Sequence, residues 1–308
     1  MKLTHVIESQ QFTLPMLTEL FERAREMEKI IIRGGTQDYS HKIMASLFYE
    51  PSTRTRFSFE SAMLRLGGKV ITTEQAAQFS SASLGESLDD TIQVLDDYAD
   101  VIVLRHNEVG GARRAAAVST VPVINAGEGK GGQHPTQALL DLYTIFHEVK
   151  TLDGLKIAMV GNLADGRTVR SLSYLLGKFE RVRIWFIAPE TLQMKEDILE
   201  YLAERNVSYT LESDLRKVLP EIDVAYVTRI EPERFHGSKK EFEELTRQSF
   251  IDMSTMERLR LHAIVMHPLP RSGEIAQEVD KDQRAAYFRQ TRNGVIIRMA
   301  LLAWVLEG

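Results

Sequence analysis

The sequence predicts an α/β fold: two doubly wound domains with parallel sheets, joined by bridging helices. Two observations predict it. Short, almost wholly apolar runs alternate with helix-length amphipathic segments along the chain, the pattern of strands buried on both faces and the helices that cover them. The residues able to do chemistry fall directly after those runs, where parallel sheets open their ligand crevices.

The first set of runs occupies 44–49, 69–73, 101–105 and 121–125, and the second 156–161, 182–188, 207–211, 223–228 and 263–267. Helical spacing of apolar residues fills 54–66, 86–98, 135–149, 167–178 and 192–204, and the helix 135–149 is expected to bridge the domains. The segment Gly294–Leu306 is a largely apolar helix that must be covered. The expected division is a first domain over 1–134, with the C-terminal helix 288–308 packed back on it, and a second over 135–287. No internal repeat, low-complexity segment or long linker interrupts this order.

Composition narrows the class. A length of 308 residues suits two domains of ordinary size, and 44% hydrophobic with 26% charged residues describes a soluble globular protein. A net charge of −5 gives no reason to expect a nucleic-acid partner. The chain has no cysteine, which excludes disulfides, thiolate metal sites and a thiol nucleophile. Its start lacks a signal-peptide apolar region, and no apolar stretch approaches the ~20 residues that span a bilayer. A cytoplasmic enzyme without membrane attachment is the expectation.

The richest chemistry lies at 51–56, Pro-Ser-Thr-Arg-Thr-Arg, between an apolar run and a helical pattern. A helix start offers unpaired N–H groups and partial positive charge. Ser52, Thr53, Thr55, Arg54 and Arg56 added there make a socket for a phosphate-sized dianion. Arg105 and His106 follow the run 101–105, with Arg105 facing the crevice. The glycine-rich stretch 125–133 leads to His134, and Gln137, three residues on, shares one face of that helix start. Gly161–Thr168 follows another run, but G-x-G-x-x-G is absent, and Arg167 at the helix start suits a carboxylate better than a pyrophosphate. Arg229 ends the run 223–228, and His267-Pro-Leu-Pro-Arg271 ends the next. The prolines stiffen that loop and leave its carbonyls free to accept from a ligand amide. No metal-ligand cluster or Ser-His-Asp order is present, and no cofactor is implied. The set suits group transfer from a phosphorylated donor to a carboxylate-bearing acceptor by positioning and electrostatics.

Ser52-Thr-Arg-Thr-Arg56, His134-Pro-Thr-Gln137, Gly166-Arg-Thr168 and His267-Pro-Leu-Pro-Arg271 together resemble the catalytic chains of the aspartate/ornithine carbamoyltransferase superfamily, in order and spacing across essentially the whole chain. Arg167 and Arg229 look like the aspartate branch; the ornithine branch uses a Cys-bearing loop that this chain cannot have. The resemblance implies transfer of the carbamoyl group of carbamoyl phosphate to L-aspartate, a step of pyrimidine biosynthesis. It implies a homotrimer with shared active sites, with regulatory chains left open. It also implies residue roles. Ser52, Thr53, Arg54 and Thr55 hold the phosphate. Arg105, His134, Gln137 and Thr55 orient and polarise the carbamoyl group. Arg167, Thr168 and Arg229 hold the acceptor carboxylates, with Glu231 in the same loop, and Pro268 and Leu269 offer carbonyls to the amine.

Three departures from the family pattern touch the acceptor side or the shared loop. Leu84 stands where the family has a lysine that reaches into the neighbouring site, although Ser80 remains. Glu231 replaces a glutamine, and Ser272-Gly273 replaces an apolar residue and an aspartate. Lys130 is one candidate replacement cation. Three readings follow: the aspartate enzyme with compensated losses, which is favoured; the same fold acting on a different amine; or a catalytically weak regulatory relative.

Overall fold

Each set of apolar runs folds into one all-parallel sheet. The computed structural model describes residues 2–79, 85–229 and 246–307. These divide into two compact units, Met1–Leu140 with Arg292–Gly308, and Asp141–Thr291.

In the first unit, helix α1 (Leu14–Ile32) is capped by the Thr13 side chain and carries Pro at its start. Strand β1 (Ile43–Phe48) leads into α2 (Thr53–Arg65), then β2 (Lys69–Glu74), α3 (Ala76–Phe79) and α4 (Leu88–Asp96). Strand β3 (Val101–Arg105), α5 (Gly111–Val118), β4 (Val123–Asn125) and α6 (Pro135–Val149) follow. The strand order is β2-β1-β3-β4, all parallel. The connection from β1 runs one way and that from β3 the other, so the switch point lies between β1 and β3. In β1, Ala45 and Leu47 join a core with Leu88, Ile92, Ile102 and Leu104, and the other face carries fully buried Met44 and Phe48. Each such side chain contributes roughly 1.5–3 kcal/mol on burial.

In the second unit, β5 (Lys156–Val160), α7 (Arg167–Leu176), β6 (Arg183–Ile187), α8 (Glu196–Glu204), β7 (Ser208–Glu212), β8 (Val224–Val227), α9 (Met253–Arg258) and β9 (Ile264–Met266) form an alternating series. The order is β7-β6-β5-β8-β9, again all parallel, with the switch between β5 and β8. Ala158, Val160, Trp185, Ile187, Val227 and Val265 fill its core. The last helix, α10 (Tyr287–Leu306), contains the second boundary between the units, and α6 contains the first.

Several elements differ in detail from the sequence reading. Helices α1 and α5 were not among the segments read as helical. β4 begins at Val123 because Pro122 has no N–H to give the ladder. Helix α8 starts at Glu196, since Glu190–Leu192 forms a separate 3₁₀ turn after Pro189. Helix α10 begins at Tyr287, earlier than the apolar run that announces it. No helix among the described residues is long and apolar enough to cross a membrane.

Candidate active site

The first unit gathers its chemistry at its switch point. Phe48 and Arg105 are register partners at the ends of β1 and β3, and the Tyr49 N–H donates to the Arg105 carbonyl at 2.9 Å. That pairing sets the β1–α2 turn beside the Arg105 side chain. Ser52 is the N-cap of α2, yet its hydroxyl makes no capping bond. Its backbone N–H is held by Glu74 at 3.2 Å. The hydroxyls of Ser52, Thr53 and Thr55 and the guanidinium of Arg54 have no hydrogen-bond or ion-pair partner among the described residues. Desolvation alone lowers the Arg54 pKa from its ordinary value, and it stays a cation. The first-turn N–H groups are open as well, the first helical bond being Arg56 N–H to Ser52 O at 3.0 Å.

Arg56 does not belong to this socket. The sequence reading counted it as a second guanidinium, but it lies 3.3 Å from Glu74 and 3.7 Å from Glu60 and stacks over Phe57. Its position on the helix turns it back toward β2.

Arg105 and His134 are both buried. Arg105 Nη1 donates to the Ala126 carbonyl at 3.2 Å, and Nη2 lies 3.5 Å from Glu50. His134 precedes α6, its Nδ1 is 3.5 Å from the Thr136 hydroxyl, and its carbonyl accepts from Gln137 and Ala138 N–H. The loop that joins them is shaped by two residues that the sequence reading passed over. Buried Asn125 accepts from Gly127 N–H and donates to Ile7 O, each at 2.8 Å. Buried Glu128 has its pKa pushed up by desolvation, partly opposed by N–H donors from Gly110, Gln133 and Ala112. Lys130 is exposed in the same loop.

The second unit repeats the arrangement. Val160 and Val227 are register partners, and both the N–H and the hydroxyl of Thr228 donate to Val160 O at 2.8 Å. Arg167 opens α7 after the β5 turn, with Gly166 as N-cap and Thr168 next. Arg229 follows β8, and its buried Nε has no hydrogen-bond partner among the described residues. After β9, the His267 ring accepts from Leu269 N–H at 2.8 Å. That contact holds Leu269 at φ 56°, a conformation that L side chains rarely adopt. The Pro268 and Leu269 carbonyls accept no hydrogen bond among the described residues. Arg271 is tied to Asp280 and Tyr287. Ser80, Leu84 and Glu231 lie outside the described residues.

Each switch point thus presents two strand-end or helix-start arginines: Arg54 with Arg105, and Arg167 with Arg229. Residues 4–147 match the family profile described as the aspartate/ornithine carbamoyltransferase carbamoyl-P binding domain, and 153–305 match its Asp/Orn binding domain. The chain belongs to the aspartate/ornithine carbamoyltransferase family. Within that family, the chloroplastic aspartate carbamoyltransferase of Oryza sativa subsp. japonica is 54% identical over 316 residues, covering 100% of this chain and 86% of the relative. The aspartate carbamoyltransferase catalytic subunit of Methanopyrus kandleri is 47% identical, covering 98% and 97%. Among solved family members, the M. jannaschii aspartate transcarbamoylase catalytic subunit superposes with a TM-score of 0.93 at 45% identity, covering 99% of this chain and 98% of its own. The Trypanosoma cruzi aspartate transcarbamoylase bound to carbamoyl phosphate and aspartate gives 0.91 at 39% identity, covering 99% and 95%.

Proposed function

We propose that this carbamoyltransferase moves the carbamoyl group of carbamoyl phosphate onto the amine of L-aspartate, giving N-carbamoyl-L-aspartate and phosphate for pyrimidine biosynthesis. The observation that carries the reading is the open anion socket at the start of α2, beside the Arg105 strand end.

The first unit takes carbamoyl phosphate. The N–H groups of the first turn of α2, the hydroxyls of Ser52, Thr53 and Thr55 and the Arg54 guanidinium hold the phosphate. Arg105, His134, Gln137 and Thr55 hold the carbamoyl group. The second unit takes the acceptor: Arg167 and Arg229 bind its two carboxylates, Thr168 supports the first, and the Pro268 and Leu269 carbonyls accept from the amine. The uncharged amine forms the new N–C bond, and the carbonyl electrons move to an oxyanion. Arg105, Thr55 and His134, acting as a neutral donor, stabilise that charge. The C–O bond to phosphate then breaks, Arg54 neutralises the departing dianion, and the amine proton leaves with the phosphate. No resident cofactor or metal enters these steps.

The assembly belongs to the same proposal. Phe57 and Leu64 on α2 and Ile71 on the edge strand β2 are exposed apolar residues, which supports burial against a second copy in a homotrimer. Residence in the cytoplasm is also proposed, and uptake of the chain by isolated chloroplasts would overturn it. Two assays test the activity. Purified protein is given carbamoyl phosphate with each of a panel of amino acids, and Arg54→Ala is run beside it. Phosphate release with L-aspartate, lost in the variant, is the expected result. Release with another amine and none with L-aspartate would assign a different acceptor.

A further inference from the structure

The second unit buries a polar chain that the proposed chemistry does not use. Tyr226, in the middle of β8, is fully buried, with Met159 and Met266 as its register partners on either side. Its hydroxyl donates to Asp141 Oδ2 at 2.6 Å. Gln290 Nε2 donates to the other Asp141 oxygen at 2.6 Å, and Gln290 Oε1 accepts from His267 N–H at 3.0 Å. The His267 ring in turn holds Leu269 N–H. Asp141, Tyr226, Gln290 and His267 are all buried.

Burying a carboxylate and a phenol in an apolar core costs free energy, and aliphatic side chains could fill the same volume. The chain also has two functional ends. One end is Tyr226 itself, three residues before Arg229 on the strand that delivers it. The other is Leu269, whose left-handed backbone aims a proposed acceptor carbonyl. A satisfied buried network fixes the mutual positions of the elements it joins more tightly than apolar packing does.

We infer that Asp141, Tyr226 and Gln290 are positioning residues for the acceptor: they tie the Arg229 strand to the Leu269 loop in one rigid cradle for a dicarboxylate amine. The inference rests on the function proposed above, and the experiment separates the two. Wild type and Tyr226→Phe are compared in KM for L-aspartate, KM for carbamoyl phosphate and kcat. Gln290→Met and the double variant complete a mutant cycle.

Loss of this hydroxyl is expected to raise KM for L-aspartate about tenfold, with KM for carbamoyl phosphate changed less than about twofold. The double variant should be no worse than about the poorer single variant, because both cut one chain. A folded Tyr226→Phe with a lower melting temperature but an unchanged KM for L-aspartate would overturn the inference and leave the function intact. Additive effects in the cycle would overturn it as well. A wild-type protein that forms no carbamoyl aspartate would instead overturn the functional reading and the inference with it. Should Tyr226→Phe fail to fold, Gln290→Met, which cuts the chain on its other side, decides by the same comparison.

Discussion

Gly127 lies directly against the Arg105 guanidinium. A Cβ at Gly127 would stand 2.7 Å from Arg105 Nη1 and 3.3 Å from His134 Cδ2, and the residue sits at φ +115°. Both groups proposed to polarise the carbamoyl carbonyl are therefore aimed over one bare stretch of backbone. Gly127→Ala is expected to push Arg105 aside and lower kcat/KM for carbamoyl phosphate about 100-fold, the usual effect of a misplacement near 1 Å. Steady-state kinetics with carbamoyl phosphate varied checks this.

In the second unit, Gly161 is packed as closely against a strand end. A Cβ there would come within 2.4 Å of Thr228 Oγ1 and 2.6 Å of Thr228 O, at φ +121°. Gly161→Ala should force β8 from β5 just before Arg229 and cost about 1–3 kcal/mol of stability. Its kinetic signature should be a raised KM for L-aspartate with carbamoyl phosphate little affected, the reverse of Gly127→Ala. Equal effects on both substrates would count against the division of ligands between the units.

Arg54 and Arg56 stand two residues apart and should behave oppositely. Arg54 has no ion-pair partner among the described residues, so Arg54→Ala should leave the melting temperature alone and cut kcat about 100- to 1000-fold. Arg56 is engaged by Glu60 and Glu74. Arg56→Ala should lower the melting temperature and reduce turnover by less than about tenfold. Thermal unfolding measured beside turnover separates the two.

That contrast marks how far the sequence could be read. The motif Ser-Thr-Arg-Thr-Arg announced an anion socket, because hydroxyls and guanidinia at a helix start have few other uses. It could not say which arginine faces the ligand, since that depends on two glutamates that β2 and α2 bring together through the fold. The central strands were legible as apolar runs because both of their faces are buried, whereas the edge strands β2 and β7 are largely exposed. The helix α1 was missed although Leu17, Leu20, Phe21, Ala24 and Met27 mark its buried side. That segment carries no chemical motif. Asp141 and Tyr226 were hidden for a different reason. A lone acid in a helix and a lone tyrosine in a strand carry no spacing signal, and their partnership spans 85 positions.

Acid should weaken the first unit. Burial lowers the pKa of His5 and of His106 from the ordinary value of 6.5. His5 Nδ1 accepts from Val123 N–H at 3.1 Å and His106 Nδ1 from Glu108 N–H at 3.2 Å, roles that an imidazolium cannot fill. A depressed folded-state pKa means that the unfolded chain takes up the proton first. The stabilisation is therefore complete above pH 6.5 and is lost as the pH falls through and below it. Denaturant melts between pH 7.5 and 5 should show this fall, and His106→Asn should flatten it.

Transfer of one carbamoyl group between two named ligands is most directly followed by ¹³C NMR of labelled carbamoyl phosphate mixed with L-aspartate and the purified protein. N-carbamoyl-L-aspartate should appear in step with phosphate, one for one, and both should form about 100- to 1000-fold more slowly with Arg54→Ala. Phosphate released without labelled carbamoyl aspartate, or product formed equally well by that variant, would contradict the account.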